Sequence, residues 1–492
     1  MSLRSSICRA WFSRRARAID RFHRCPAQTQ ERMFRMALER GRRTALGRQF
    51  GLSEVRTPEQ FRAAVPIFDY ETFKPWIGRM LDGERDVAAP GRVDLFARSS
   101  GTTSDRSKYI PVTRESLWKN HTLGMRDLAT LVASADPRTR LFDGKTLTLG
   151  GSCRREGRNL VGDLSAILIR ETAFVSRWIR APRSATATIP DFDRKAEAIA
   201  RECAGQHIVA FAGVPSWNLA LMRRVLEFTG KSNLLEVWPD LELFAHGGVE
   251  FAPYRRSFEA LIPSSGMRYM ETYNASEGFF ALADDPQRDD MLLMLDYGTY
   301  FEFRDGDCVV PLEGVEKGRS YAMLVTSDNG LWRYEIGDRV EFTSTDPYRI
   351  RFAGRTRQYI NVFGEELIVD NADRALAAAC AASGALVAEY SVAPLYMSLS
   401  ERGAHEWFVE FERMPADAEL FAGELDRALR SVNSDYDAKR QTTLERQHLT
   451  LVEPGTFLAW MRARGKNKVP RLVNDRRVAD DLHAFMAQRA RV

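Results

Sequence analysis

No C-x-x-C pair occurs anywhere in the sequence. Its six cysteines, Cys8, Cys25, Cys153, Cys203, Cys308 and Cys380, are scattered over 492 residues, and the seven histidines do not cluster with them at metal-ligand spacing. That excludes the usual structural zinc sites and a disulfide framework, and the expected compartment is reducing and cytoplasmic. No uninterrupted apolar run reaches the ~18 residues of a membrane span. The nearest, "RALAAACAASGALVA", is interrupted by charge, small residues and Gly384, and reads as a core helix running into a strand. Internal repeats and low-complexity tracts are also missing.

Two familiar nucleotide and nucleophile signatures are absent as well. The stretch "LFARSSGTTSDRSKYIPVT", Leu95 to Thr113, is rich in glycine and hydroxyls. A P-loop needs a glycine directly before its lysine, but Ser107 precedes Lys108 and Tyr109 follows it. A nucleophile elbow needs G-x-S-x-G, which does not occur here. What remains is a flexible loop whose backbone N–H groups and hydroxyls suit a phosphate.

What is present is a composition able to build a large core, 44% hydrophobic and 28% charged. Two to three folding units, or one big α/β domain and a smaller one, fit this length. The net charge is only +5, with the excess concentrated in "RAWFSRRARAIDRFHR". Such a segment suits a nucleic-acid arm or a targeting peptide, but a basic helix packed on the main domain is the preferred reading. No nucleic-acid partner is therefore expected.

Along the chain, Pro26 to Phe61 has helical periodicity, with Gly51 as its stop. "GRVDLFA", "GKTLTLGG" and "HIVAFAG" read as strands, and "SWNLALMRRVLEF" as an amphipathic helix with Ser216 as its cap. Strand and helix alternate to about residue 300, which is an α/β pattern. Between Met291 and Phe352 the alternation turns to an antiparallel, meander-like texture. Beyond Gly354 a helix, two strands and another helix suffice for a compact α+β domain. The expected division is 1–353 and 354–492, at a boundary near Gly354–Arg357.

Four clusters carry chemistry. The hydroxyl loop is the first. In "METYNASEGFFA", Tyr273 offers a ring for a base and Glu277 a carboxylate for a hard cation. In "LWRYEIGDRVEF" and "FAGRTRQYINVFGEEL", Asp338 and Arg355 sit in Gly-Asp and Gly-Arg turns, suited to ribose and phosphate oxygens. Late in the chain, "GKNKVPRLVNDRR" supplies lysines.

Taken in order, these clusters resemble the acyl-adenylate-forming superfamily. With "GVPSWN", "LLEVWPDLELFAHGGVEFAPY", "FGEEL" and "NKVPRL" added, the chain resembles the auxin-responsive acyl acid–amido synthetase family, specifically its bacterial members, over roughly Pro26 to Arg477. The resemblance implies a large N-terminal α/β adenylation domain and a small mobile α+β C-terminal domain. It implies ATP-dependent activation of a carboxylic acid, then transfer of the acyl group to an amine, typically of an amino acid, with ATP and magnesium required. By matching positions it assigns Ser99, Ser100, Gly101, Thr102 and Thr103 to the ATP phosphates, assisted by Lys108. Gly247 and Gly248 lie against the adenine with Tyr273 stacked on it, beside Ser276, and Glu277 holds magnesium. Asp338 takes the ribose hydroxyls with Arg355 nearby, and Lys468 reaches the α-phosphate, with Lys466 as its competitor. Val214, Trp217 and Ser165 are candidates for the acyl pocket. Two departures stand out: Asp105, where the family often has glycine, and Thr356-Arg357 at the pivot. Two alternatives remain open, a ligase using coenzyme A as acceptor and a nucleotide-binding pseudo-enzyme, which Asp105 would favour.

Overall fold

The structure, a computed structural model, describes residues 3–100, 107–355, 359–398, 401–464 and 469–489. Gly101, Thr102, Thr103 and Asp105 of the hydroxyl loop, the Thr356-Arg357 site, Lys466 and Lys468 lie outside the described residues.

Twelve strands form one mixed sheet. At one end Lys145–Thr148, Ile208–Gly213, Leu243–His246 and Arg268–Ala275 run parallel. Parallel strands are covered on both faces, so they read as continuous apolar runs, and Leu243–His246 is buried throughout. Phe211 and Phe244 stack across neighbouring strands at 4.3 Å. Ile199, Leu219 and Phe258, from three covering helices, complete this core.

Antiparallel pairing takes over at the Arg268–Ala275 and Gly278–Leu282 hairpin, one hairpin earlier than the sequence texture suggests. It continues through Met291–Leu293, Tyr348–Arg355, Tyr334–Thr345, Ser320–Ser327, Thr299–Asp305 and Cys308–Pro311. A separate four-stranded sheet contains Leu95–Ser100 and Ser107–Val112, which flank the hydroxyl loop.

The N-terminal helix Leu3–Arg24 is docked on this body. Ile19 and Phe22 are buried, and Arg15 ion-pairs with both Asp127 and Asp296 at 2.6 Å. The helical stretch expected from Pro26 to Phe61 is three helices, Pro26–Gly41, Ala45–Gln49 and Pro58–Ala64. Gly41 ends the first where the Trp332 ring leaves no room for a side chain: a Cβ there would lie 2.2 Å from it. Thr44 and Thr57 cap the next two.

The C-terminal part is α+β. Helix Val369–Ser383 leads into the antiparallel pair Leu386–Leu395 and Ala404–Arg413, and His448–Val452 adds a third, parallel strand. Helices Ala418–Val432, Ser434–Arg440, Thr456–Ala463 and Arg477–Arg489 surround it. It has a small core of its own around Phe408, Trp460 and Leu482. A larger core joins Phe211 and Phe244 of the parallel strands to Val362, Phe363, Trp407 and Leu429. Among the described residues no helix is long and apolar enough to cross a membrane.

Candidate active site

The hydroxyl loop is the tip of a β-hairpin. Leu95–Ser100 and Ser107–Val112 pair antiparallel with Ser99 opposite Lys108 and Ser100 opposite Ser107. The lysine therefore leaves the hairpin beside the first loop serines, with its ammonium 5.7 Å from the Tyr70 ring. The second strand had no counterpart in the sequence reading, because Pro111 interrupts its alternation.

Tyr273 and Glu277 belong to one hairpin. Tyr273 is in the strand Arg268–Ala275, and Ser276-Glu277 form the turn before Gly278–Leu282. The Tyr273 hydroxyl donates to Asp338 Oδ2 at 2.7 Å, and its ring packs edge-on against Phe280 and Phe352. Asp338 faces Arg355 in register across two adjacent strands. Neither residue sits in a turn, contrary to the sequence reading. Gly337 and Gly354 each precede one of them at φ +90° and +110°. They mark an irregularity inside long strands, with a register shift between Arg339 and Val340.

Glu277 is only 9% exposed. Burial pushes its carboxyl up to about 7; Lys108 opposes that rise and Asp338 adds to it. Lys108 and Asp338 thus both act on Glu277 although the three come from separate segments. Buried Asn329 holds the Glu277 turn: its Nδ2 donates to the Glu277 carbonyl at 3.0 Å, and its Oδ1 accepts the Thr113 N–H at 3.1 Å. One asparagine so fixes the Glu277 turn to the strand that follows the hydroxyl loop. The sequence reading missed it, since in "TSDNGLW" it looks like an ordinary turn residue.

Gly247-Gly248 follows the strand Leu243–His246. A Cβ on Gly247 would lie 2.3 Å from the Thr272 carbonyl oxygen, and Gly248 takes φ +84°. Both positions demand glycine. Asn361 Nδ2 donates to the Gly248 carbonyl at 3.0 Å, which brings the C-terminal part to this loop.

Two of the three acyl-pocket candidates belong to the helix Pro215–Thr229, Val214 at its N-cap position and Trp217 within it, while Ser165 lies on Leu164–Glu171. Ser216 is not the cap, as the sequence suggested. Pro215 starts the helix, and the Ser216 hydroxyl donates to the Phe363 carbonyl at 3.1 Å. Val214 lies 3.4 Å from where a Gly248 side chain would begin. Trp217 has a lysine over its ring from each half of the molecule, Lys195 at 5.3 Å and Lys439 at 4.3 Å. The Lys195 ammonium donates to the Gly150 carbonyl at 2.6 Å, and the Ser165 hydroxyl accepts the Gly151 N–H at 3.0 Å. Ser165 and Trp217 are thus joined through Gly150-Gly151. Neither lysine was singled out from the sequence, since "DFDRKAEAIAREC" and "NSDYDAKRQ" read as solvated helix faces.

A hydroxyl hairpin on the four-stranded sheet, with a buried carboxylate turn and a tyrosine–aspartate pair on the twelve-stranded mixed sheet, defines an adenylate-forming ligase fold. Solved structures that share it include two ligases. An acyl acid amido synthetase, AtGH3.15, solved in complex with 2,4-DB, matches with a TM-score of 0.59 and 18% identity, covering 93% of each chain. A 2-hydroxyisobutyryl-CoA ligase, solved in complex with 2-HIB-AMP and CoA, matches with a TM-score of 0.59 and 16% identity, covering 94% of this chain and 92% of the other. In sequence, residues 15–267 match the GH3 family N-terminal domain, 292–355 its central domain and 370–477 its C-terminal domain. The chain belongs to the GH3 family. Similar relatives include the indole-3-acetic acid-amido synthetase GH3.8 of Oryza sativa subsp. indica, 24% identical, covering 90% of this chain and 88% of that protein. The indole-3-acetic acid-amido synthetase GH3.4 of Arabidopsis thaliana is 22% identical, covering 76% of this chain and 75% of that one.

Proposed function

We propose that this chain is an acyl acid–amido synthetase acting in two half-reactions. A substrate carboxylate oxygen attacks the α-phosphorus of ATP, the bond to the bridging oxygen breaks, and pyrophosphate leaves. An amino acid's amine nitrogen then attacks the acyl carbon of the adenylate, and AMP leaves as the amide forms. The observation that carries this reading is convergence: Lys108 and Asp338 both lie within electrostatic reach of Glu277 in a chain matched along its length by GH3 domains.

The roles follow from chemistry and resemblance. Ser99, Ser100, Gly101, Thr102 and Thr103 hold phosphates with backbone N–H groups and hydroxyls. Gly247 and Gly248 give the adenine a flat approach, and Tyr273 with Ser276 lines it. Asp338, oriented by the Tyr273 hydroxyl, accepts the ribose hydroxyls, with Arg355 opposite. Lys108 and Lys468 offset the charge that builds as pyrophosphate departs. Val214, Trp217 and Ser165 line the acyl pocket. The division falls between 353 and 354, and residues 354–492 deliver Lys468 by turning about Gly354–Arg357. The described cysteines are unpaired, which fits a reducing compartment such as the cytoplasm.

Magnesium fits the site as a shared ligand. Among the described residues no group of three or more His, Cys, Asp or Glu could cage a metal ion. Magnesium is commonly held by one or two carboxylates together with substrate phosphates and water, and Glu277 supplies such a carboxylate. When bound there, the ion neutralises phosphate charge.

ATP–pyrophosphate exchange over a panel of carboxylic acids tests the reading, followed by mass analysis of products with amino acids or coenzyme A. Exchange with at least one acid and an amide product are expected. A thioester alone would identify a coenzyme A ligase. Nucleotide binding without exchange would identify a pseudo-enzyme.

A further inference from the structure

Two buried ammonium groups meet over Trp217, and neither forms an ion pair among the described residues. Lys195 is 2% exposed and Lys439 is 7% exposed. Among the described residues the Lys439 ammonium makes no hydrogen bond or ion pair and rests over the indole. There too the Lys195 ammonium has one neutral carbonyl partner and no carboxylate within ion-pair distance. Asp163 and Asp191 act on Lys195 only from beyond ion-pair distance, and their oxygens are turned to other partners. Asp163 accepts the Ser152 N–H at 2.6 Å, Asp191 accepts the Arg194 N–H at 2.8 Å, and Glu365 is held by His405 and two backbone N–H groups. Burial pushes Lys195 down to about 8; Asp163 and Asp191 oppose that fall and Lys439 adds to it. The buried Trp217 Nε1–H also has no acceptor. Buried ammonium groups are costly without an anion.

The Trp217 cluster packs next to the Gly247-Gly248 loop. A Cβ on Gly364 would lie 2.8 Å from the Lys439 side chain and 3.9 Å from Val214, and Val214 in turn abuts Gly248.

We propose that Lys195 and Lys439 form a carboxylate-binding subsite over Trp217, which grips a second, non-reacting carboxylate on one of the two substrates. It rests on the amide-forming reading above and adds the substrate class: either a dicarboxylic acyl acid or the free α-carboxylate of the amino-acid acceptor. Lys195 belongs to the helix Phe192–Cys203 and Lys439 to the C-terminal helix Ser434–Arg440, so the subsite needs both parts of the chain. Two ammonium groups supply donors to two carboxylate oxygens.

The test has two arms, each a pair matched in size. Pyrophosphate exchange compares glutarate with pentanoate. Amide formation from a supplied acyl-adenylate compares L-alanine with L-alaninamide. In one arm the wild-type protein should prefer the carboxylate-bearing member about tenfold or more in kcat/KM, mostly through KM, the scale of one charge-assisted contact. Lys439→Gln and Lys195→Gln should each erase that preference, and Lys439→Arg should restore part of it. The arm that responds identifies the source. Absence of preference in both arms, survival of the preference in both variants, or equal losses for both members of each pair overturns the proposal. Calorimetric titration with glutarate and with L-alanine separates this from the wider reading. Lysine-dependent binding without any exchange sinks the amide-forming activity but keeps the subsite. Exchange and amide formation with lysine-independent discrimination sink only the subsite.

Discussion

The proposed nucleotide side and the proposed Trp217 subsite are built in different ways. The nucleotide side is held by register within one body. Tyr273 and Asp338 share a hydrogen bond inside the large sheet, Asp338 faces Arg355 on the next strand, and Asn329 fastens the Glu277 turn to the hydroxyl hairpin. The Trp217 pocket is assembled from two bodies: Lys439 and Gly364 come from the C-terminal part, and Trp217, Lys195 and Val214 from the rest. Changes on the nucleotide side should therefore alter nucleotide handling in every arrangement of the chain. Changes in groups from the C-terminal part should act on one half-reaction if the proposed turn about Gly354–Arg357 replaces their contacts.

The sharpest break in that comparison is expected at Lys468. Lys468→Ala should slow pyrophosphate exchange by ~10²–10³-fold, the scale for one lost transition-state donor, while amide formation from a supplied acyl-adenylate is nearly spared. Lys466→Ala serves as the control and should do little. Equal loss in both half-reactions, or a larger loss at Lys466, would reassign the role.

Glu277 is the opposite case, a nucleotide-side group with an ionisation cost. Glu277→Gln should lose exchange yet remain folded. The folded carboxyl titrates near 7, above its ordinary 4.5. Wild-type stability therefore falls as pH rises through that window, since the folded state binds the extra proton. The glutamine variant carries no such cost. Its advantage should be absent at pH 4 and grow to at most about 3 kcal/mol by pH 8, read from denaturant melts. A constant difference across pH would contradict the burial argument.

Asp338→Ala should weaken AMP and ATP alike by tens of fold, since a hydrogen bond to a charged group contributes ~1.5–3 kcal/mol. Tyr273→Phe should cost less, about 0.5–1.5 kcal/mol, through lost orientation of that carboxylate. Unchanged AMP affinity in Asp338→Ala, measured by calorimetry, removes it from the ribose site. Smallest is Ser216→Ala, which deletes a link between the two bodies at Phe363 and should lower stability by about 1 kcal/mol. A shift in the balance between half-reactions without any stability loss would mean that this hydroxyl acts in the turn itself.

The same contrast separates what the sequence disclosed from what it hid. Tyr273 and Glu277 were legible because a hairpin turn keeps them together in the chain. The α/β order and the α+β C-terminal part were legible from apolar runs and alternation. Asp338 and Arg355 were found as residues but misread as turn residues, because a positive-φ glycine inside a strand looks the same in sequence as one in a turn. Ser216 was misread because Pro215 takes the first helical position. Lys195, Lys439 and Asn329 were missed because nothing near them in sequence marks burial; only the packing of distant segments does.

The central claim is that a carboxylate oxygen becomes bonded to the α-phosphorus of ATP. Supplying the best acid of the panel with its carboxylate labelled in oxygen-18, together with an amino acid, and analysing the nucleotide product by mass spectrometry tests it directly. The account predicts that AMP emerges carrying one heavy oxygen while the amide keeps the other. Unlabelled AMP, or ADP with the heavy oxygen in inorganic phosphate, would contradict it.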